Sequence, residues 1–395
     1  MTKRQPRVPR SATPATTAAA EAARTLRERL AATLIALAGI PSVSGAEGEV
    51  RAYVRQRLER LGLAPITDAA GNLIARVGAL PATRDGEPPL LLNAHMDRVP
   101  PGRAHVPVLT AGVLRSDGAT NLGADDSAGI AVILHAVAAL RTRRLTHPPL
   151  VLLFTVGEEV GLRGAKAFDP TPWGAREGIV FDNAGAPGAA VTHAATYIAF
   201  DVTLHGSGGH PGKRLEGTAS AIEMFHRAQY PSGVLEGDTT RVSIGQIEAG
   251  TARNAIPQEL RALGEVRTLL EGPARTALLA RIERAFAESA ATLGGSAEIA
   301  FDPHCDGYRV DPAEPLLRAY AAVRAARGLP FETLTSFIGS DASALRGHTR
   351  VFTIATGAMD EHTSAEWIAL APLADLTESA IALLGSYQDA AAAHA

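Results

Sequence analysis

At 395 residues the chain is long enough for two or three hydrophobic cores, so a second domain is expected. Its 46% hydrophobic and 20% charged residues are ordinary values for a soluble globular protein. A formal net charge of -3 gives no electrostatic reason to expect nucleic acid as a partner.

Residues 1–23 stand apart from the rest. They hold Lys3, Arg4, Arg7 and Arg10, no acid before Glu21, and are otherwise mostly Ala, Thr and Pro. The segment lacks the apolar centre of a secretory signal and reads as a disordered tail, with an organelle transit peptide as the alternative. A helical pattern over residues 22–37 follows, then a loop, Ile40-Pro41-Ser42-Val43-Ser44-Gly45. A second amphipathic helix is expected over 47–61, stopped by Gly62.

Short apolar runs at 73–77, 90–93, 150–156, 179–181 and 351–355 have the length of buried strands. Helical stretches such as 127–140 separate several of them. Strands alternating with helices predict an α/β domain on a largely parallel sheet with helices on both faces. The longest apolar stretch, 128–140, is interrupted by His135 and falls short of the roughly 20 residues a bilayer span needs, so no membrane partner is expected. Arg141-Thr142-Arg143-Arg144 reads as a solvated helix end, favoured there by the helix dipole. The single cysteine, Cys305, excludes an intrachain disulfide and fits a reducing, cytoplasmic setting.

Between about 196 and 303 the pattern changes. It gives a strand over 197–204, a helix over 218–229, strands over 241–247 and 259–268, a helix over 274–293 and a strand over 297–301. That order is β-α-β-β-α-β, a ferredoxin-like α+β unit. Residues 196–304 are therefore expected as an insert, with 24–195 and 305–395 forming the larger domain. The insert's glycine run, Gly206-Ser207-Gly208-Gly209-His210-Pro211-Gly212, fails as a phosphate-binding loop, because Ser207 takes the first glycine position and Arg214 replaces the serine or threonine.

The chemistry lies in five segments spread over more than half of the chain. They are His95-Met96-Asp97, Gly123-Ala124-Asp125-Asp126, Gly157-Glu158-Glu159-Val160, Phe181-Asp182-Asn183 and Glu361-His362-Thr363. Four of them follow an apolar run, and Asp125 precedes the helix at 127. All offer imidazole or carboxylate and no thiolate, the donors a hard or borderline divalent cation takes. In open α/β sheets ligands bind beyond the carboxyl ends of the strands, so these segments converge on one rim.

These motifs make the chain similar to the cocatalytic zinc metallopeptidases of the aminoacylase and peptidase T superfamily, most of all to the peptidase T branch. The matching stretches are His95-Met96-Asp97-Arg98-Val99-Pro100-Pro101-Gly102, Gly123-Ala124-Asp125-Asp126-Ser127-Ala128-Gly129, and Glu158-Glu159-Val160-Gly161-Leu162-Arg163-Gly164-Ala165. Asp182, Gly209-His210-Pro211-Gly212 and Glu361-His362-Thr363-Ser364 complete the set. The resemblance implies two divalent ions, zinc first and cobalt or manganese as alternatives. His95, Asp125 and Asp182 would hold one and Asp125, Glu159 and His362 the other.

Two dications about 3.5–4 Å apart need such an anionic bridge. The resemblance further makes Glu158 the general base, Asp97 the partner that orients a ligand imidazole, and Asp125–Asp126 a cis peptide. It gives His210 and Asn254 to the substrate, His210 often acting from a partner subunit of a homodimer.

One departure bears on specificity. Peptidase T carries Arg-Gly-Gly-Thr-Asp where this chain has Phe337-Ile338-Gly339-Ser340-Asp341, without the arginine thought to receive the substrate carboxylate. Arg309 and Arg346 are the candidate substitutes. The reading that results is an aminopeptidase acting on di- and tripeptides. An N-acyl amino acid deacylase using the same metals and Glu158 is the alternative, and a non-catalytic scaffold would require eroded ligands, which are all present.

Overall fold

Four of the runs that read as buried strands lie side by side in parallel. The computed structural model describes residues 14–387 except 82, 83, 85, 104, 214–216 and 236. In chain order, α1 spans Pro14–Ala38, α2 Gly48–Arg60, β1 Leu73–Val77, β2 Leu90–His95, α3 Ala124–Thr142, β3 Leu150–Thr155 and β4 Glu177–Ala184. Strand β3 pairs parallel with β2, β2 parallel with β4, and β4 parallel with the late strand Arg350–Met359, while β1 runs antiparallel on the far side of β3. Every residue of β2 and β3 is buried, as a strand covered on both faces requires.

The register sets the site. Asn93 lies opposite Val180 and His95 opposite Thr155. Two residues farther along β2 and β4, His95 and Asp182 come level at the carboxyl edge, on the same face because side chains alternate with period two.

Helix α3 packs on β2 and β4, with α1 and the C-terminal helix Leu370–Ser386 against it. Residues 130–137 of α3 are buried without a break, which is why its sequence shows an apolar run and no solvent stripe. The helix ends at Thr142 with Arg143 as its cap, so the basic run sits where its charge suits the dipole.

Helix α1 begins at Pro14, eight residues before the expected start, since the alanine-rich stretch prolongs it. The tail expected over 1–23 falls outside the described residues for its first thirteen positions.

His135, on the α1 side of α3, is 7% exposed and its Nε2 lies 2.9 Å from Thr33 Oγ1. Burial, with the charges of Arg57 and Arg29, lowers its pKa from 6.5 to about 4. The folded chain thus refuses a proton that the unfolded chain accepts below pH 6.5. This contribution is complete above that value and is lost as pH falls toward 4. Between pH 7.5 and 5 the wild type should lose about 2 kcal/mol more than His135→Gln, read from urea unfolding at both values. Equal losses would remove this account.

Residues from Thr196 to Cys305 form a second, wholly antiparallel sheet with its own core. Its strand order is Gly233–Leu235, Thr240–Ala249, Glu259–Thr268, Thr196–His205, Ser296–Cys305. Strand Thr196–His205 alternates strictly between buried and less buried positions. Its inward Phe200, Val202 and Leu204 join Met224, Leu278, Ile282 and Phe286 from two helices, Ala221–Arg227 and Gly272–Thr292. The six expected elements are all present. Strand Gly233–Leu235 is an addition, and the first helix is shorter than 218–229, starting after Ser220, whose Oγ accepts the Glu223 N–H.

Candidate active site

The ends of β2, β3, β4 and the Arg350–Met359 strand bring the five donor segments together. His95 ends β2, Glu158 and Glu159 lie just beyond β3, Asp182 is near the end of β4, and His362 is in the loop after Met359. Asp125 comes from the start of α3, where Asp125 and Asp126 break the helical φ/ψ values and the bond joining them is cis. Among the described residues two groups offer ligand atoms within 4.8 Å of one another: His95, Asp125 and Asp182, and Asp125, Glu159 and His362.

Asp125 belongs to both groups, one oxygen to each. Its Oδ1 is 3.1 Å from His95 Nε2, and its Oδ2 is 3.3 Å from His362 Nε2. His362 Nε2 also lies 3.0 Å from Glu159 Oε1. The electrostatics follow from that crowding. Burial opposes a charged His95, yet Asp125 and Asp97 push its pKa well above the ordinary value. Contacts with Asp125 and Glu159 raise that of His362 to about 10. Burial raises the Asp125 carboxyl, but His362 and His95 outweigh it and hold the group far below the usual range. The crowd of carboxylates around the two imidazoles marks a place where the chain stabilises positive charge. An oxygen-and-imidazole set of this kind fits a divalent cation.

Asp97, fully buried, organises the floor. Its backbone oxygen lies 3.1 Å from His95 Nδ1, fixing the ring so that Nε2 faces Asp125. Its carboxylate accepts the N–H of Glu158 at 2.9 Å, the N–H of Glu159 at 3.1 Å and the Ser44 hydroxyl at 2.7 Å. Burial, the charges of Asp182 and Asp341, and neighbouring Glu159 raise the Glu158 pKa well above that of a free carboxyl, against the pull of His95. A carboxyl so placed is suited to hold and release a proton at a higher pH than a free one.

Two supports were not legible as such. Asp126 reads in the sequence as an acid at a helix start, but it is buried, accepting the N–H of His95 at 3.2 Å and of Gly129 at 2.8 Å. Asp341, noticed only beside the absent arginine, is buried and accepts the Thr155 hydroxyl. Burial pushes its pKa up to about 6. His210 and Asn254 are exposed in the second sheet's connections and lie outside both donor groups. A bridge between Gly209 and Ile256 sets their turns side by side. Arg346 is engaged by Glu314 and the Val351 carbonyl, and Arg309 by His193.

A sequence profile for the peptidase family M20/M25/M40 matches residues 91–385. The chain belongs to that family. This M20 peptidase is 31% identical to the uncharacterized protein YqjE of Bacillus subtilis (strain 168) over 90% of its own length and 98% of the relative's. It is also 29% identical to peptidase T of Salmonella arizonae, over 48% of this chain and 54% of that one.

Two solved structures share its fold closely. They are aminopeptidase PepT from Bacillus cereus (TM-score 0.84, 29% identity) and a tripeptidase from Staphylococcus aureus (TM-score 0.85, 26% identity). Each comparison covers 91% of this chain and 98% of the other. With this family and these neighbours, the M20 peptidase is a metal-dependent exopeptidase. No helix among the described residues is long and apolar enough to cross a membrane.

Proposed function

We propose that this chain is a cytoplasmic aminopeptidase that removes residues from the free amino end of di- and tripeptides with the help of two divalent ions, zinc first. The observation that carries the reading is Asp125, whose two oxygens are shared between the two donor groups beside Glu158. His95, Asp125 and Asp182 would hold one ion, and Asp125, Glu159 and His362 the other. Bound there, the pair supplies Lewis-acid polarisation of the scissile carbonyl and makes water acidic enough to ionise near neutral pH.

The chain's own residues do the rest. Glu158 takes the proton from the attacking water and delivers it to the leaving nitrogen, which its raised pKa allows. Asp97 keeps Glu158 and Glu159 in place by their backbone N–H groups while its own carbonyl orients His95. Residues 24–195 and 305–395 serve as the catalytic domain, and 196–304 as a lid and dimerisation domain. His210 and Asn254 reach substrate from that domain, His210 across the dimer to stabilise the developing oxyanion.

The test is a matched panel of free and N-acetylated di- and tripeptides given to the zinc-loaded protein. Cleavage of the free peptides at their amino end is the expected result. Cleavage of acylated substrates alone would replace aminopeptidase with deacylase.

A further inference from the structure

We infer that Glu366 is a positioning residue that holds the shared ligand Asp125 and the His362 loop in one geometry for the second ion. The inference rests on the reading of Asp125 as the shared ligand.

The first turn of α3 leaves N–H groups that no residue of the helix accepts, and its N-cap, Gly123, has no side chain to cap it. Glu366 takes over that task from the other end of the chain. Its Oε2 accepts the N–H of Leu122 at 2.6 Å and of Gly123 at 2.8 Å, and its Oε1 accepts the N–H of Asp125 at 3.1 Å. These bonds act where Asp125 and Asp126 leave helical φ/ψ, so helical hydrogen bonding does not fix the backbone there. Glu366 lies four residues after His362, and the same carboxylate therefore ties one donor's loop to the other donor's backbone.

A carboxylate that is 1% exposed needs a counter-charge. The charge of buried Arg98, 2% exposed, acts on it through space, while the guanidinium's own bonds go elsewhere. Arg98 donates to the carbonyls of Leu37 and Ile40 at 2.8 and 3.1 Å and to Ser127 Oγ at 3.0 Å, tying the end of α1 to the start of α3. Its side chain also fills the space over Gly123, where an added Cβ would sit 2.6 Å from Arg98 Cδ. Gly123 has φ +72°, so glycine is required there twice over.

The two ions should not feel the loss of Glu366 equally. His95 and Asp182 stand on buried neighbouring strands, whereas His362 is on an exposed loop at φ +63°. Glu366→Gln keeps the shape but removes the charge and one acceptor, so the second ion should bind about 10- to 100-fold more weakly, with the first near its wild-type affinity. Calorimetric titration of the metal-stripped protein with zinc resolves the two steps, and thermal unfolding of the same stripped sample reports the fold.

A merely structural role would lower the unfolding temperature and weaken both steps alike, which overturns the inference, as would two unchanged affinities. If Glu366→Gln does not fold, Glu366→Asp carries the test, the shorter carboxylate being expected to weaken the second step in the same way. Asp125→Ala in the same titration separates the two readings. If it keeps both ions, the shared-ligand assignment fails; if it loses them while Glu366→Gln binds normally, only the role of Glu366 fails.

Discussion

Asp125→Ala is expected to leave the purified protein without tightly bound metal, where the wild type is expected to hold two ions per chain. The residue supplies an oxygen to each donor group, and each group retains only two of its three ligands once it is gone. The repulsion between two dications would also lose the anion that offsets it. Metal content after desalting, with hydrolysis of a tripeptide measured beside it, checks the result. Activity should fall to background. Retention of two ions would mean that the shared-ligand assignment is wrong, whatever happens to turnover.

Glu158→Gln should give the opposite combination, full metal content with little turnover. Glu158 belongs to neither donor group, and its backbone N–H is held by Asp97 whether or not the side chain is charged. An amide of nearly the same shape cannot take a proton from water. The turnover number should therefore drop by about 10²- to 10⁴-fold, the usual share of a positioned general base. The carboxyl is raised above the ordinary range, chiefly by burial. In the wild type the rate should accordingly decline as pH falls through that raised value, and the variant's residual rate should lack this limb. A variant with near-normal turnover would move the base elsewhere.

The parts of the molecule legible in its sequence are those governed by short-range pattern. Runs such as 150–155 are apolar at every position because both faces of the strand are covered, and a polar residue just past such a run marks the sheet's rim. That logic identifies His95, Glu158 and Asp182 as neighbours without any knowledge of distances. The supports were harder to see, because their meaning lies in partners far away along the chain. Glu366 looks like one more acid in a polar loop, yet it caps a helix that begins at residue 124. Asp126 carries the same local signal as any acid in a first helical turn, and only the fold sets it beneath the His95 amide. Strand Gly233–Leu235 has three residues and no alternation to reveal it. His210 and Asn254 stand exposed in the second sheet's connections, where no short-range pattern marks them.

The donors enter the chain at positions 95, 125, 159, 182 and 362, and the strand preceding the last pairs with β4 in the middle of the sheet. On this assignment a chain leaving the ribosome carries four donors long before it carries the fifth. The second ion's set, its Glu366 support and a central strand all arrive together, only once residues 350–366 have been made. On the proposed mechanism, competence therefore waits for that one stretch of chain. A product that stops before residue 362 should show no hydrolysis, since it lacks the second ion's donor set.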